Sequence, residues 1–328
     1  MTATPITLRP LWQADISALT ELYTAVEAVE QTGEHYSEED LEEEFANPEL
    51  VLGKDVIGAF GGDELLGCAS VLLRGAGGDG GDEGDARVVY AHGMTHPAHR
   101  GSGIGTLLVG ATLERAREIA QDVGTVRLMA EAKAGNVDQV GLLEGAGLTP
   151  SKWNFVMRHQ LQALPAPAAV PGYRVRTYRP EDAEKLRRTH NETFAANQDF
   201  TAWDAGEWDQ WVTGSRNFRP GLSYLVVPEE DDGEIAAYLQ TNEYDAVLQA
   251  TGKREAWVAR VGTAPAHRRR GLADLLLRHA LDAYGAAGFD YAGLDVDSMH
   301  PTGALGLYER SGFVTDHATV QFETRVSS

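Results

Sequence analysis

Cysteine is all but missing from this chain: Cys68 is the only one among 328 residues. A single thiol excludes an internal disulfide and suits a reducing, cytoplasmic setting. Its surroundings, Leu66-Gly67-Cys68-Ala69-Ser70-Val71, read as a buried strand, so a core thiol is expected rather than a nucleophile. Positive charge is scarce too. Lys and Arg number 28 against 49 Asp and Glu, a net charge of −21. That balance excludes a protein that tracks nucleic-acid phosphates over a basic face. It leaves a self-repelling acidic surface, or one that attracts a cationic amine. No run approaches the roughly 18 apolar residues of a membrane span, so no membrane partner is expected. Residues 1–17 lack the basic head and apolar run of a signal peptide. Metal-ligand spacing is also missing. Asp79, Asp82, Glu83 and Asp85 fall in a Gly/Asp stretch that does not fit a calcium loop and reads as a hairpin connection.

What the chain does have, it has twice. Arg100-Gly101-Ser102-Gly103-Ile104-Gly105 reads R-x-x-G-x-G, and Arg268-Arg269-Arg270-Gly271-Leu272-Ala273 reads R-x-x-G-x-A. Each follows a strand-like segment and opens an apolar-periodic helix. A strand, a basic turn and a helix N-terminus together make an anion site, because unbonded N–H groups and the helix dipole both favour negative charge. The likeness extends beyond the motif. Asp15 matches Asp182, Leu19 matches Leu186, and Gly147-Leu148 matches Gly312-Phe313, all at an offset of 165–168 positions. A near-constant offset over this span is the duplication of a domain rather than a short solenoid repeat. A dinucleotide fingerprint is a poor fit. Its third glycine would fall at Thr106, and the second copy has no G-x-G.

Pro165, Pro167 and Pro171 mark a Pro/Ala linker over 163–172, which places one domain at 1–162 and another at 173–328. In the first, strands are expected at 6–9, 55–60, 65–73 and 87–95, and helices at 15–29 and 37–45. The helix after the motif is expected to bury Leu107, Leu108, Ala111 and Ile119. In the second, strands are expected at 173–177, 223–227, 234–244, 256–263 and 291–296. Helices are expected at 180–197 and from Leu272, with Leu272, Leu275, Leu276 and His279 on one face. Trp203, Trp208 and Trp211 lie in an acidic helical stretch that reads either as an amine pocket or, preferably, as a capped solvent-facing helix. Strands interleaved with helices imply an α/β fold with mixed sheets.

On these residues the chain resembles the GNAT superfamily of acetyl-CoA-dependent N-acetyltransferases, over nearly its whole length and as two tandem domains. The resemblance implies, for each domain, a mixed, mostly antiparallel sheet flanked by helices. The second half is similar to the mycothiol synthase-like branch, through Val296-Asp297-Ser298 and the run from Pro301 to Arg310. Carried over, the amides of Arg100, Gly101, Ser102, Gly103, Ile104 and Gly105, and of Arg268, Arg269, Arg270, Gly271, Leu272 and Ala273, would bind the CoA pyrophosphate. The preceding segments, Gly93-Met94-Thr95 and Val261-Gly262-Thr263, would lie along the pantetheine arm like a neighbouring strand. Asn136 matches an asparagine that contacts CoA in the family, and His300 takes its place in the second half.

Acetyl transfer needs a proton for the leaving thiolate, and a phenol can give it. The resemblance assigns that role to Tyr308, whose first-half counterpart is Leu143. The second domain is therefore expected to be catalytic, and the first to bind CoA without turnover or to be structural. Glu255 is the candidate base. It stands eight residues before Thr263, which puts both on one face if no bulge intervenes. Glu243, Tyr244 and Asp245 are alternatives, and His267 and His300 are candidate proton shuttles. The expected acceptor is a small-molecule amine that attacks the thioester directly. Mycothiol-type acetylation of a cysteinyl amine, or acyl-CoA binding without catalysis, are the alternatives. No oligomeric state is read from the sequence.

Overall fold

The computed structural model describes residues 5–74, 87–161, 169–197, 200–297 and 303–328. Two compact units emerge by contact: residues 1–154 with 317–328, and residues 155–316. Residues 155–162 thus fall with the second unit and 317–328 with the first, whereas the linear reading at the Pro/Ala linker put each with its sequence neighbours. Each unit takes one strand from the other half of the sequence.

In the first unit the sheet order is β1 (Ile6–Pro10), β2 (Val56–Gly61), β3 (Glu64–Leu73), β4 (Arg87–Thr95), β5 (Val126–Lys133) and β12 (Val314–Val326). Among the described residues only the β4–β5 pair is parallel; the others run antiparallel. In the second unit the order is β6 (Thr149–Gln160), β11 (Tyr291–Asp297), β10 (Glu255–Thr263), β9 (Ala237–Asn242), β8 (Tyr224–Pro228) and β7 (Tyr173–Thr177). Here β10–β11 is parallel, while β9–β10, β8–β9 and β7–β8 are antiparallel. The expected α/β class, with a mixed and mostly antiparallel sheet in each repeat, is what the chain forms.

The repeated Asp15 and Asp182 have a local cause. Each begins a first helix, α1 (Ile16–Glu30) or α5 (Ala183–Phe194). Each accepts a backbone N–H from three residues earlier, Trp12 or Arg179. Each is also gripped by both terminal nitrogens of an arginine on the preceding strand: Arg9 at 2.7 and 2.9 Å, Arg176 at 2.7 Å twice. Bidentate charge-assisted bonds fix strand and helix together, so the spacing survives in both copies. In the first unit, Ser37 and Asp40 form a reciprocal capping box on α2 (Glu38–Phe45).

The motif helices are α3 (Ile104–Val123) and α8 (Leu272–Ala286). On α3 the buried stripe is Ile104, Leu108, Thr112, Ala116, Ile119 and Ala120; Leu107 is 45% exposed and Ala111 half-buried. Leu108 and Ile119 are buried as expected, while Leu107 and Ala111 give way to Ile104 and Thr112, since the stripe steps from Ile104 by fours. On α8, Leu272, Leu275, Leu276, Leu277, Ala280, Leu281 and Tyr284 fill the second unit's main core, while His279 lies at its edge against Tyr224. The remaining helices are α4 (Val137–Gly145), α6 (Ala205–Trp208), α7 (Asp245–Thr251) and α9 (Ala304–Arg310). The acidic stretch has two sides: Asp204 and Asp209 are exposed and Asp204 caps α6 with Glu207, as the solvent-facing reading expects, while its tryptophans turn inward. Trp203 and Trp208 are buried with Val212, Phe218 and Tyr238, Trp208 from α6 and Val212 from the helical turn that follows it. Among the described residues no helix is long and apolar enough to cross a membrane, and no group of three His, Cys, Asp or Glu could hold a metal ion.

Candidate active site

Both motif turns have the same backbone. Gly101 and Gly103 sit at φ +74° and +87°, and their counterparts Arg269 and Gly271 at +61° and +81°. Alternating left-handed residues turn successive amides to one side and make an anion-binding concavity. The amides of Arg269, Arg270 and Gly271 bond no protein acceptor among the described residues, and the first N–H groups of α8 are free by helix geometry. A side chain built at Gly101, Gly103 or Gly271 would meet nothing within 4 Å, so the concavities are open. Gly105 serves a different end: a Cβ there would lie 2.9 Å from Leu142, so this glycine lets α4 approach α3.

The three arginines of the second turn divide their work. Arg268 is a brace: its Nε bonds the carbonyl of Thr263 at 3.3 Å and its Nη2 that of Thr193 at 2.6 Å. Arg100 repeats the first of these with Thr95 at 3.5 Å. Arg270 bonds the Tyr173 hydroxyl at 2.7 Å, and that hydroxyl reaches His267 Nδ1 at 2.8 Å, whose Nε2 meets Glu234 at 2.8 Å. His267 is thus a structural link in the turn. Arg269 is exposed and has no hydrogen bond or ion pair among the described residues. Leu272 is buried core, so only its amide is available to a ligand.

The strands before the turns are splayed from their parallel partners. Pairing of β10 with β11 runs from Glu255↔Tyr291 to Trp257↔Gly293 and no further among the described residues. On its other side β10 stays paired to β9 through Thr263↔Ala237. Val261, Gly262 and Thr263 therefore have one edge free beside β11. The first unit repeats this: β4–β5 pairing stops at Ala91↔Ala130, leaving Met94 and Thr95 beyond it, while β3–β4 continues to Gly67↔Thr95. A free edge beside a parallel strand can accept an extended ligand as a strand. Nothing in the sequence pattern announced where pairing would stop.

Tyr308 lies on α9, buried in the second unit's core, its ring 6.0 Å from Phe313. Burial pushes its pKa up, with Asp295 adding to the shift, so the phenol stays protonated. Its hydroxyl has no hydrogen-bond partner among the described residues. In the first unit Leu143 is buried with Leu148 and Phe322. Asn136 caps α4, accepting from Gln139 N at 3.1 Å. His300 lies outside the described residues, as do Ser298, Pro301, Thr302, the Gly/Asp stretch at 75–86 and most of the linker.

The condition placed on Glu255 fails. A β-bulge falls between Val258 and Arg260, so the face shifts by one and Glu255 and Trp257 share a side with Arg260 and Gly262, not with Thr263. The carboxylate is buried and bonded to Arg158 Nε at 3.1 Å, and Arg158 bonds Asp316 at 2.6 Å. Burial raises the Glu255 pKa against the pull of Arg158. Glu255 thus anchors the paired end of β10. Of the alternatives, Glu243 is held by Arg219 and Arg254 at 3.0 and 2.9 Å; burial pushes its pKa up, but these bonds bring it below the usual range. Asp245 stands 3.7 Å from Arg219.

The face opposite α8 holds residues the sequence reading missed. Tyr238 packs so closely on Gly262 that a Cβ there would lie 2.4 Å from its ring. Its hydroxyl meets His190 Nδ1 at 2.5 Å. Next along the sheet, Arg260 bonds Gln240 at 2.8 Å and covers the Trp203 ring at 4.7 Å. Gln240 in turn bonds Asn242 at 3.1 Å. Buried polar side chains beside a free strand edge are what a ligand site offers. The only sequence signal was the polar alternation Tyr238, Gln240, Asn242.

Comparison with known proteins agrees with this geometry. The model of the acetyltransferase (GNAT) family matches residues 16–147 and again 183–313. The mycothiol acetyltransferase of Tsukamurella paurometabola is 30% identical over 254 residues, 75% of this chain and 79% of its own. That of Mycolicibacterium paratuberculosis is 28% identical over 94% of this chain and 93% of its own. A GCN5-related N-acetyltransferase from Sphaerobacter thermophilus superposes with a TM-score of 0.76 at 25% identity, covering 98% of this chain and 96% of its own. A tandem GNAT protein from the clavulanic acid biosynthesis pathway shares the fold at a TM-score of 0.72 and 18% identity, covering 99% of each chain. The family uses acetyl-CoA. With two family matches laid over two splayed sheets and two basic turns, the chain belongs to the GNAT acetyltransferase family, as an N-acetyltransferase of the tandem form.

Proposed function

We propose that the second unit transfers the acetyl group of acetyl-CoA to the amine of a small acceptor, and that this acceptor is a cysteinyl amine of the mycothiol type. The observation that carries the first part is the asymmetry of the two units: both have the splayed strand and the concave turn, but only the second presents a protonated phenol, Tyr308, where the first has Leu143. The acceptor reading is supported by relatives named mycothiol acetyltransferase that run through both halves of the chain.

In this reading the amides from Arg269 to Ala273 hold the pyrophosphate, with the Arg269 guanidinium free to add charge. The edge of Val261, Gly262 and Thr263 aligns the pantetheine arm, and an N–H of that edge polarises the thioester carbonyl. The neutral amine attacks the carbonyl carbon, the C–S bond breaks, the thiolate takes the proton of Tyr308, and the proton shed by the acylated nitrogen returns to the tyrosinate through water.

The test is thiol release from acetyl-CoA with a cysteinyl glycoside amine, set against polyamines and aminoglycosides. The glycoside is expected to give the highest kcat/KM. Tyr308→Phe is expected to lower kcat by about 10²- to 10⁴-fold with acetyl-CoA affinity kept. Equal turnover of all amines would remove the acceptor assignment, and an active Tyr308→Phe the acid assignment. Tight acetyl-CoA binding without turnover of any amine would favour a binding protein.

A further inference from the structure

The first unit's gap has a carboxylate at its mouth. Glu30, the last residue of α1, bonds Arg100 Nη1 at 2.7 Å and accepts from Asn136 Nδ2 at 3.0 Å through the same oxygen, Oε1. Its main-chain carbonyl accepts from Lys133 Nζ. Arg100 belongs to the turn that follows β4, whereas Lys133 ends β5 and Asn136 caps the helix after it. One residue therefore ties together the two banks that separate beyond Ala91↔Ala130. The Glu30 side chain is only 14% exposed.

Local preference does not put it there. A carboxylate at the C-terminal end of a helix opposes the dipole. The next residue, Gln31, takes φ +51°, a left-handed conformation that a residue with a Cβ rarely adopts. The turn is then locked by Glu27, which accepts from Thr32 N and Gly33 N at 3.0 and 2.7 Å. The Gln31 turn is held locally by Glu27, and the carboxylate placed against the dipole is held by its cross-gap bonds to Arg100 and Asn136. The second unit lacks the device among its described residues. Asn197 stands at the position of Glu30, and the motif arginine Arg268 reaches a main-chain carbonyl instead.

We infer that Glu30 is a latch that keeps acetyl-CoA out of the first unit, by joining Arg100 to Asn136 across the gap. The inference rests on the reading of that gap as an acetyl-CoA site. Displacing the carboxylate would break the Arg100 ion pair and the Asn136 hydrogen bond before the ligand could enter.

The experiment is a calorimetric titration of acetyl-CoA into the full chain, as wild type, Gly271→Glu, and Gly271→Glu combined with Glu30→Ala. The wild type is expected to show one site, and Gly271→Glu none. The combined variant is expected to regain one measurable site where Gly271→Glu alone shows none, a gain in apparent affinity of at least about 10-fold. A site of undiminished affinity in Gly271→Glu would show the first gap already open and overturn the latch. So would a combined variant that melts like its parent yet binds nothing. No binding by the folded wild type would overturn the acetyl-CoA reading and the latch with it. Should Glu30→Ala fail to fold, Glu30→Gln keeps the side chain's shape and removes its charge. Recovery of a weaker site with it supports the latch, and no recovery overturns it.

Discussion

At the scale of single residues, the most telling position is Arg269. Its counterpart in the first turn is Gly101, and both occupy left-handed backbone. For a residue with a Cβ that conformation costs about 1–2 kcal/mol, yet the second turn keeps an arginine there, exposed and bonded to no protein group among the described residues. Strain of this kind clusters at ligand sites, which fits the proposed acetyl-CoA turn. Arg269→Gly is therefore expected to stabilise the protein by about 1 kcal/mol while weakening acetyl-CoA binding and flattening its dependence on salt. Thermal melts and titrations at two ionic strengths read both effects. Unchanged binding would make Arg269 a mere surface residue. The sequence showed three arginines in a row but not their division of labour. Which one braces, which one joins Tyr173 and which one is free depends on strand ends and hydroxyls distant in the chain. The separation of Glu255 and Thr263 onto opposite faces was hidden for a related reason, because a bulge of one residue reverses a face and leaves no mark in composition.

At the scale of elements, what was legible was local. The strands at 6–10, 87–95 and 173–177 and the helices opened by the two motifs follow from alternation, turn residues and apolar spacing, and they form where that spacing puts them. What was not legible is pairing between distant segments. The splay of β10 from β11 is a property of two strands, and no pattern within either one says where their hydrogen bonds stop. Strand β12 is the larger case. Residues 317–328 lie at the end of the sequence but belong to the first unit, where Thr319 to Val326 run antiparallel to β5 and bury Val320 and Phe322 against Ala132, Leu143 and Leu148. A proline-rich linker looks like a boundary at which to cut, and contacts alone show that it does not separate the strands of the two units. Phe322→Ala is accordingly expected to cost about 3–5 kcal/mol in the first unit, although Phe322 is among the last residues of the chain. Hydrogen exchange should show β5 amides losing protection while those of β9 keep theirs. The opposite pattern would contradict the assignment of β12 to the first unit.

At the scale of the whole molecule, a net charge of −21 makes pH the natural probe of stability. The buried carboxylates fall into two groups of opposite sign. Glu255 is raised by burial, so the folded state takes up a proton before the unfolded chain does. Its contribution improves as pH falls through its folded pKa towards the usual carboxylate value. Protonation of acidic surface groups relieves self-repulsion in the same direction. Asp15 and Asp182 behave oppositely. The Arg9 bond lowers Asp15, and for Asp182 the bonds from Arg176 and the Arg179 amide outweigh the upward push of burial. Their contribution is complete above the unfolded carboxylate pKa of about 4 and is lost as pH drops through their lowered folded values. The two groups together give a maximum in melting temperature on the mildly acidic side of neutrality, about pH 5 to 6, followed by a steep fall below about pH 4. Asp182 is the sharper test, because it and Arg176 are only 10% and 9% exposed. Asp182→Asn should cost about 3 kcal/mol near neutral pH, by leaving Arg176 without its main partner, and the variant's acid limb should be shallower because one depressed carboxylate is gone. Melts from pH 3 to 8 decide the matter: an acid limb of unchanged steepness in Asp182→Asn would mean that acid unfolding begins elsewhere in the chain.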